Sequence, residues 1–404
     1  MRSSRRRIVW LLPAVAASCL ASRGGDATSV RLRVEPTTTQ ALPVPRGSTL
    51  RWPTAAWHRD GWVVAANVFP NDDRPVPRRA LYLVHQRQGA LPLPPGDFLF
   101  AYPDLIVDRA QRLHLFWAEA PPGSRALIPG WPIRHTQLWQ ATLRDGAWDT
   151  PRLVLEAEQV VWEGGAPRAA LDAEGRLHLL VIVHDSTRLA AIVHLRHEGE
   201  RWRQHETGLN GASAAIVAIG PELLVAYARG ITNGPSNQLF TASSMDGGDH
   251  WGPSVRVVPA ALLAQAHHPR LHVADGRVHL SWYSDEAEGP RWHAAARRAD
   301  RGWSPPRSSD PLGDVLFRHT LIAPCGTPVG VVDVARVVDS VLVPAIRTIE
   351  DSAGTLIVRR PLGDAPAMSA TIAHERGRGV LIWSGPAPAG DFVAPFLSVL
   401  PGCR

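Results

Sequence analysis

Four arginines stand at the start of short apolar runs: Arg51, Arg168, Arg270 and Arg318. A guanidinium group offers a planar fork of donors that fits a carboxylate. Four such forks brought to one place would suit an anionic ligand, such as a carboxylated sugar. The alternative for each is an ion pair with a neighbouring Asp or Glu. His267-His268, with His272 nearby, raises the question of a metal. Adjacent strand residues point to opposite faces, so no metal site is expected there. H-E-x-x-H, C-x-x-C, G-x-S-x-G and Gly-rich phosphate-loop patterns are absent. No cofactor is implied.

Composition narrows the chemistry further. All 43 basic residues are Arg, and there is no Lys. That removes Schiff-base catalysis and a phosphate-binding Walker-type Lys; a GC-rich genome is the plain cause. The net charge of +6 includes Arg2, Arg5, Arg6 and Arg7 near the start. The body carries no basic run, so nucleic-acid binding is not expected. A chain of 404 residues, 45% hydrophobic, has ample material for a large core. Its 36 Pro and 34 Gly suit many turns and short strands better than long helices. After the first two dozen residues nothing reaches the roughly 18 apolar residues of a membrane span.

The elements that would position the arginines come from a recurring phrase: an apolar run, a turn, then a second apolar run. It starts near Pro53, Pro103, Pro167, Ala214, Pro269, Thr320 and Ala370. Within it, R-L-H-L or R-V-H-L begins at Arg112, Arg176 and Arg277. The two runs read as the two inner strands of one sheet, and Pro suits the first residue of a strand. An acidic residue and a Gly precede Trp148, Trp202, Trp251 and Trp303, which are 54, 49 and 52 residues apart. That period fits one four-stranded blade. The expectation is an all-β fold, a β-propeller of four-stranded blades, as a single domain over 29–404. Seven starts give seven blades; an incomplete first or last run would make it six. The ring would close by pairing 29–34 with a strand near 394–400. A monomer is expected.

Propeller geometry separates two ends. The starts of the inner strands and the loops at 69–77, 119–132, 184–188, 229–237 and 284–291 share one mouth. Tyr102, Asp104, His267, His268 and His319 join the four arginines there. Trp52, Trp131 and Trp162 fall nearby, and at most one of them is expected to stack on a sugar face.

Ser244 to Trp251 reads S-M-D-G-G-D-H-W. Asp246 can accept turn N–H bonds, Gly248 can take positive φ, and Trp251 opens the next strand. The octet resembles the Asp-box, or BNR repeat, of the sialidase-like β-propellers. The resemblance implies that Ser244, Asp246, Gly248 and Trp251 are fold elements away from the active site. Leu50-Arg51-Trp52-Pro53 stands where that family has an aromatic-Arg-Ile-Pro motif. It implies that Arg51 binds a carboxylate, and that Asp72 or Asp73 stands near the acid/base Asp. The family's nucleophile is a Tyr in the last blade, but no Tyr follows Tyr283 here. Tyr283 and Tyr227 are the substitutes considered, with Glu163 for the missing Glu. Two functions follow. One is a non-catalytic propeller that binds a glycan or other anionic ligand at the mouth, or a protein surface. The other is an exo-α-sialidase or related glycoside hydrolase with a divergent site. A purely structural envelope protein has no positive sign.

Residues 1–21 read as a signal peptide, with Arg5-Arg6-Arg7 before the apolar run from Ile8 to Ala17. Cys19 after Val15-Ala-Ala-Ser18 resembles a bacterial lipobox, although Ala16 replaces the usual large aliphatic residue. The alternative is plain secretion after cleavage near Cys19 to Ala21. Residues 22–28 read as a tether. The only membrane contact expected is a lipid anchor, which places the chain on the cell envelope or, without the anchor, outside the cell. Cys325 and Cys403 are expected to pair in an oxidising compartment.

Overall fold

The computed structural model describes residues 38–42, 48–70, 80–95, 102–119, 135–161, 169–184, 190–229, 238–258, 265–286, 288–298, 302–312, 315–322, 329–338, 341–352, 355–359, 368–375, 378–386 and 393–400. Contacts divide the chain into residues 1–30 and 31–404, and all described residues belong to the second unit.

Every described element of regular structure is a strand. The strands group into seven antiparallel four-stranded runs, here called modules one to seven. Module one is Ser48–His58, Gly61–Pro70, Ala80–His85 and Gly89–Ala90. Module two is Asp104–Val107, Leu113–Glu119, His135–Arg144 and Ala147–Trp148. Module three is Ala169–Leu171, Leu177–His184, Ala191–Glu198 and Arg201–Asn210. The strand Arg152–Val161 pairs with both of these modules and joins them into one nine-stranded sheet. Module four is Ser213–Ile219, Glu222–Arg229, Gln238–Ser244 and Val255–Arg256. Module five is Gln265–Ala274, Arg277–Asp285, Arg291–Arg298 and Arg307–Ser308. Module six is Val315–Ile322, Val329–Val338, Val341–Ser352 and Thr355–Arg359. Module seven is Met368–Glu375, Arg378–Pro386 and Val393–Leu400, completed by Thr38–Ala41 from the start of the chain.

That last pairing closes the fold, with Thr38 opposite Val399 and Ala41 opposite Phe396. The sequence reading put the closing strand at 29–34, which lies outside the described residues. The last strand instead takes Thr38–Ala41. A four-residue edge strand needs only backbone donors and acceptors, so side-chain pattern marks it poorly.

The apolar runs are buried on both faces because each module packs against the next. The second strands Leu113–Glu119 and Leu177–His184 are buried over nearly their whole length. A hydrophobic cluster joins each successive pair of modules. Leu83 and Leu115 share one between modules one and two. Trp62, Val380 and Leu397 share another between modules one and seven, so the packing returns to its start. The unit is a β-propeller, all-β and built of four-stranded sheets.

The Trp period has a physical cause. Each repeat Trp reaches back to the preceding module. Trp148 Nε1 donates to the Pro92 carbonyl at 2.8 Å, and Trp202 Nε1 to Gln140 Oε1 at 2.8 Å. Trp303 Nε1 donates to Thr241 Oγ1 at 3.2 Å. Trp251 lays its ring edge-on to His194, centroids 5.6 Å apart.

The R-L-H-L repeat also has a cause. At the turn between the first two strands of module three, Arg176 Nε donates to Asp172 Oδ2 at 2.6 Å. His178 Nε2 meets the same oxygen at 3.0 Å. Burial works to raise the Asp172 carboxyl, but the bonds from His178 and Arg176 outweigh it and hold it at about 2. Module two repeats the arrangement with Asp108, Arg112 and His114. Module five keeps Arg277 and His279 in a shorter turn, and no carboxylate hydrogen-bonds that His.

Candidate functional site at the mouth end

Antiparallel order puts the turns between strands one and two, and between three and four, at one end. The starts of the first strands lie at the other. The two ends differ in their backbone.

At the turn end the Asp-box is closed on itself. Ser244 Oγ donates to Asp246 Oδ1 at 2.8 Å and accepts from the Gly248 amide at 2.8 Å. The His250 amide donates to Asp246 Oδ1 at 3.0 Å. These bonds hold the Asp246 carboxyl well below the usual range, the His250 amide first. Gly248 has φ +94°, and a Cβ there would stand 2.1 Å from the His194 ring. Arg196 of module three clasps the turn through the Gly247 carbonyl at 3.0 Å and Asp249 at 3.2 Å.

At the mouth end the first strand is bulged in modules one, five, six and seven. Bulges re-aim side chains and recur beside binding sites. Modules one and five share one device. Trp52 and His268 both sit in the left-handed region, φ 51° and 46°. Each precedes a proline, Pro53 and Pro269. A residue before proline is normally driven to extended backbone, and left-handed backbone is costly for a bulky side chain.

Each device has an aromatic partner. The Trp52 ring meets Tyr102 of module two edge-on, centroids 4.7 Å apart. Beneath them Thr54 Oγ1 donates to Asp104 Oδ1 at 3.3 Å, and that oxygen also takes the Leu105 amide at 2.9 Å. In module five Tyr283 stacks with both His267, at 5.0 Å, and His268, at 5.7 Å. His267 Nε2 pairs with Asp285 at 3.4 Å, and burial pushes its imidazole down towards neutrality. The His268 amide donates to Ser213 Oγ of module four at 3.2 Å.

Behind Tyr283, Ser284 Oγ lies 2.6 Å from His293 Nε2 and 2.9 Å from Glu286 Oε1. The residue types resemble a hydrolytic triad, but Ser284 is 0% exposed and cannot meet a substrate. Glu286 and Glu288 are both engaged by Arg291, at 2.9 and 2.6 Å.

Of the expected site residues, Trp52 and Tyr283 are at this end, on different modules. Arg270 is buried, and its Nη1 donates to the Pro269 carbonyl at 3.1 Å. Arg51 and Arg318 lie on the bulged strands; their side chains are outside the described residues. So are Asp72, Asp73, Arg168, Trp131, Trp162, Glu163, Cys19, Cys325 and Cys403. Tyr227 is buried, and its hydroxyl is engaged by Ser254 Oγ at 2.5 Å. The pairing of Trp52 with Tyr102 escaped the sequence reading. Its signal was there: Trp52-Pro53, Tyr102-Pro103 and His268-Pro269 each place a ring before a proline in or beside a first strand. Among the described residues no three His, Cys, Asp or Glu side chains are grouped to hold a metal.

No protein-family model matches the chain. No curated protein matches it. Solved structures do. The chain is similar to the polysaccharide lyase Uly1, at 12% identity over 86% of this chain and 89% of that one, TM-score 0.50. It is also similar to a Trypanosoma rangeli sialidase mutant displaying trans-sialidase activity, at 10% identity over 92% of this chain, TM-score 0.50. The match spans 57% of that chain, little more than half its length. At such identities the likeness is one of fold.

Proposed function

We propose that this propeller binds a carboxylated glycan, or another anionic ligand of that shape, at its mouth. One observation carries the reading: of the described non-Gly residues with left-handed backbone, only Trp52 and His268 precede a proline, and they stand beside Tyr102 and Tyr283. Strain of this kind persists where the surroundings enforce it, and it gathers at ligand sites. Arg51, the neighbour of Trp52, is the carboxylate partner in this reading, with Arg168 and Arg318 in support. The two similar structures, a polysaccharide lyase and a sialidase, agree with a sugar ligand. We read the ring as seven-bladed, and the chain as exported behind an N-terminal leader that ends before Cys19, the lipid attachment point.

A glycan array with the purified protein tests the reading. Sialylated or uronate-bearing glycans are retained over neutral ones, and Arg51→Ala weakens retention about tenfold or more, the scale of one charge-assisted bond. Retention of no carboxylated glycan, or of neutral glycans alone, contradicts it.

The second reading is catalysis at the same mouth, as an exo-α-sialidase or related glycoside hydrolase. The position of Tyr283 at this end, its ring stacked on His267 and His268, favours it. Asp72 or Asp73 would be the acid. A fluorogenic sialoside separates the two readings. The binding reading expects no turnover; turnover lost in both Tyr283→Phe and Arg51→Ala would establish the second.

A further inference from the structure

We infer that Asn67 is a positioning residue for Arg51: from the adjacent strand, its buried carboxamide accepts from the Arg51 guanidinium when a ligand is bound and aims that group at the ligand's carboxylate. This rests on the glycan reading above, in which Arg51 is the carboxylate partner, and adds the residue behind that partner.

Asn67 is an orphan in the core. It lies on the second strand of module one, Gly61–Pro70, in the half nearer the mouth. It is 0% exposed, and neither Oδ1 nor Nδ2 has a hydrogen-bond partner. Burying a carboxamide without partners is costly, and such groups are rare enough in folded proteins to need a cause. The sheet face it shares with Ala65 and Leu81 is apolar and packs on Leu105 and Trp117 of module two. Two other polar side chains of this seam are engaged. Thr54 Oγ1 donates to Asp104 Oδ1 at 3.3 Å, and Trp117 Nε1 donates to Glu119 Oε1 at 2.7 Å.

Register supplies the partner. Asn67 stands directly opposite Arg51 on the first strand, and residues opposite each other in an antiparallel pair share a face, about 5 Å apart. The combination recurs. Arg270 of module five stands opposite Ser281, and Arg318 of module six stands opposite Asp333. Each of these arginines borders the register shift of its first strand. Ser281 repeats the orphan as well, being 0% exposed with its Oγ unbonded. The surrounding sequence is apolar: Trp62 to Ala66 lead to Asn67, and Val331, Val332 and Val334 flank Asp333. A polar residue that interrupts such a strand opposite an arginine answers to the arginine rather than to the core. Asn offers an acceptor without a charge. It can therefore orient a guanidinium and leave its charge for a carboxylate ligand. The cost of the unbonded amide in the free protein is offset when the bond to Arg51 forms.

The test is calorimetric titration with 3′-sialyllactose and, separately, trigalacturonate, using the parent protein, Arg51→Ala, Asn67→Val and the double variant. Asn67→Val replaces the unbonded amide with an apolar side chain suited to a strand, so it should fold and melt no lower than the parent. Asn67→Ala, which adds no bulk, serves the same comparison if Val does not fit. Either change should weaken whichever probe binds about tenfold, the scale of one hydrogen bond to a charged group. On the Arg51→Ala background the same change should weaken it less than about twofold, because a residue that acts through Arg51 has nothing left to position. A role in core packing alone would not lower affinity while keeping stability, nor make the two losses overlap. Losses that multiply in the double variant overturn the inference and leave the glycan reading standing. So do unchanged affinity in the Asn67 variants, or melting temperatures lowered in both of them. No binding of either probe by the parent removes the glycan reading and this inference with it.

Discussion

At the turn end Asp172 answers Arg176 and His178, and Ser244 answers Asp246 and Gly248. At the mouth end Trp52 and His268 hold a backbone conformation that their own side chains and the following prolines disfavour. The first end ties these polar groups to one another, although the two His279 ring nitrogens there have no hydrogen bond. The second keeps strain and half-buried rings. Scaffold and site are thus separated along the strands, and two kinds of substitution should tell them apart.

The largest effect is expected at Gly248. Gly248→Ala puts a Cβ 2.1 Å from His194 on a backbone at φ +94°. Strain and overpacking together should cost about 3–5 kcal/mol, read by urea unfolding. Next is Asp172→Asn, which strips a buried His and an Arg of their carboxylate; about 2 kcal/mol is expected. Asp60→Asn removes an exposed partner of Arg87 and should cost less than about 1 kcal/mol. If Asp60→Asn cost as much as Asp172→Asn, the turn end would not be the scaffold described here. By contrast, Trp52→Gly should leave stability near or above the parent.

Acidity sharpens the same contrast. Burial holds His194 at about 3, and His279 and His293 at about 4. Their unfolded value is about 6.5, so between about 6.5 and 4 the unfolded chain takes up protons that the folded chain refuses. Stability is therefore full above about pH 6.5 and falls as pH drops through that window. Asp172, at about 2 when folded, adds a further loss below about pH 4, its unfolded range. His279 has both ring nitrogens buried without a hydrogen bond. His279→Leu should be neutral or stabilising and should flatten the slope between pH 7 and 5, measured as melting temperature against pH.

Much of the scaffold was legible in the sequence. The run starts at Pro53, Pro103 and Pro269 fall in or beside first strands at Ser48–His58, Asp104–Val107 and Gln265–Ala274. Apolar runs and turns are local, so pattern reaches them. The Trp period was readable as a repeat, but its cause lies in the neighbouring module, as with Trp202 on Gln140. The R-L-H-L phrase was likewise visible before its carboxylate grip was. The mouth was harder. Trp52-Pro53 and His268-Pro269 read as extended by the local rule, and contacts from other modules, such as Tyr102 on Trp52 and Ser213 on the His268 amide, are invisible to it. The closing strand Thr38–Ala41 is too short to announce itself. A last, smaller expectation concerns Cys325 and Cys403. A free-thiol assay on unreduced protein should find them unreactive if they pair, and two reactive thiols would exclude the disulfide.

The central claim is that the strained, aromatic end recognises a carboxylated glycan and the self-satisfied end does not. The most direct measurement is the affinity of the purified protein for a carboxylated oligosaccharide, compared between Trp52→Gly and Asp172→Asn under conditions where both are folded. The account predicts about a tenfold loss for Trp52→Gly and none for Asp172→Asn. Equal losses, or a loss in Asp172→Asn alone, would contradict it.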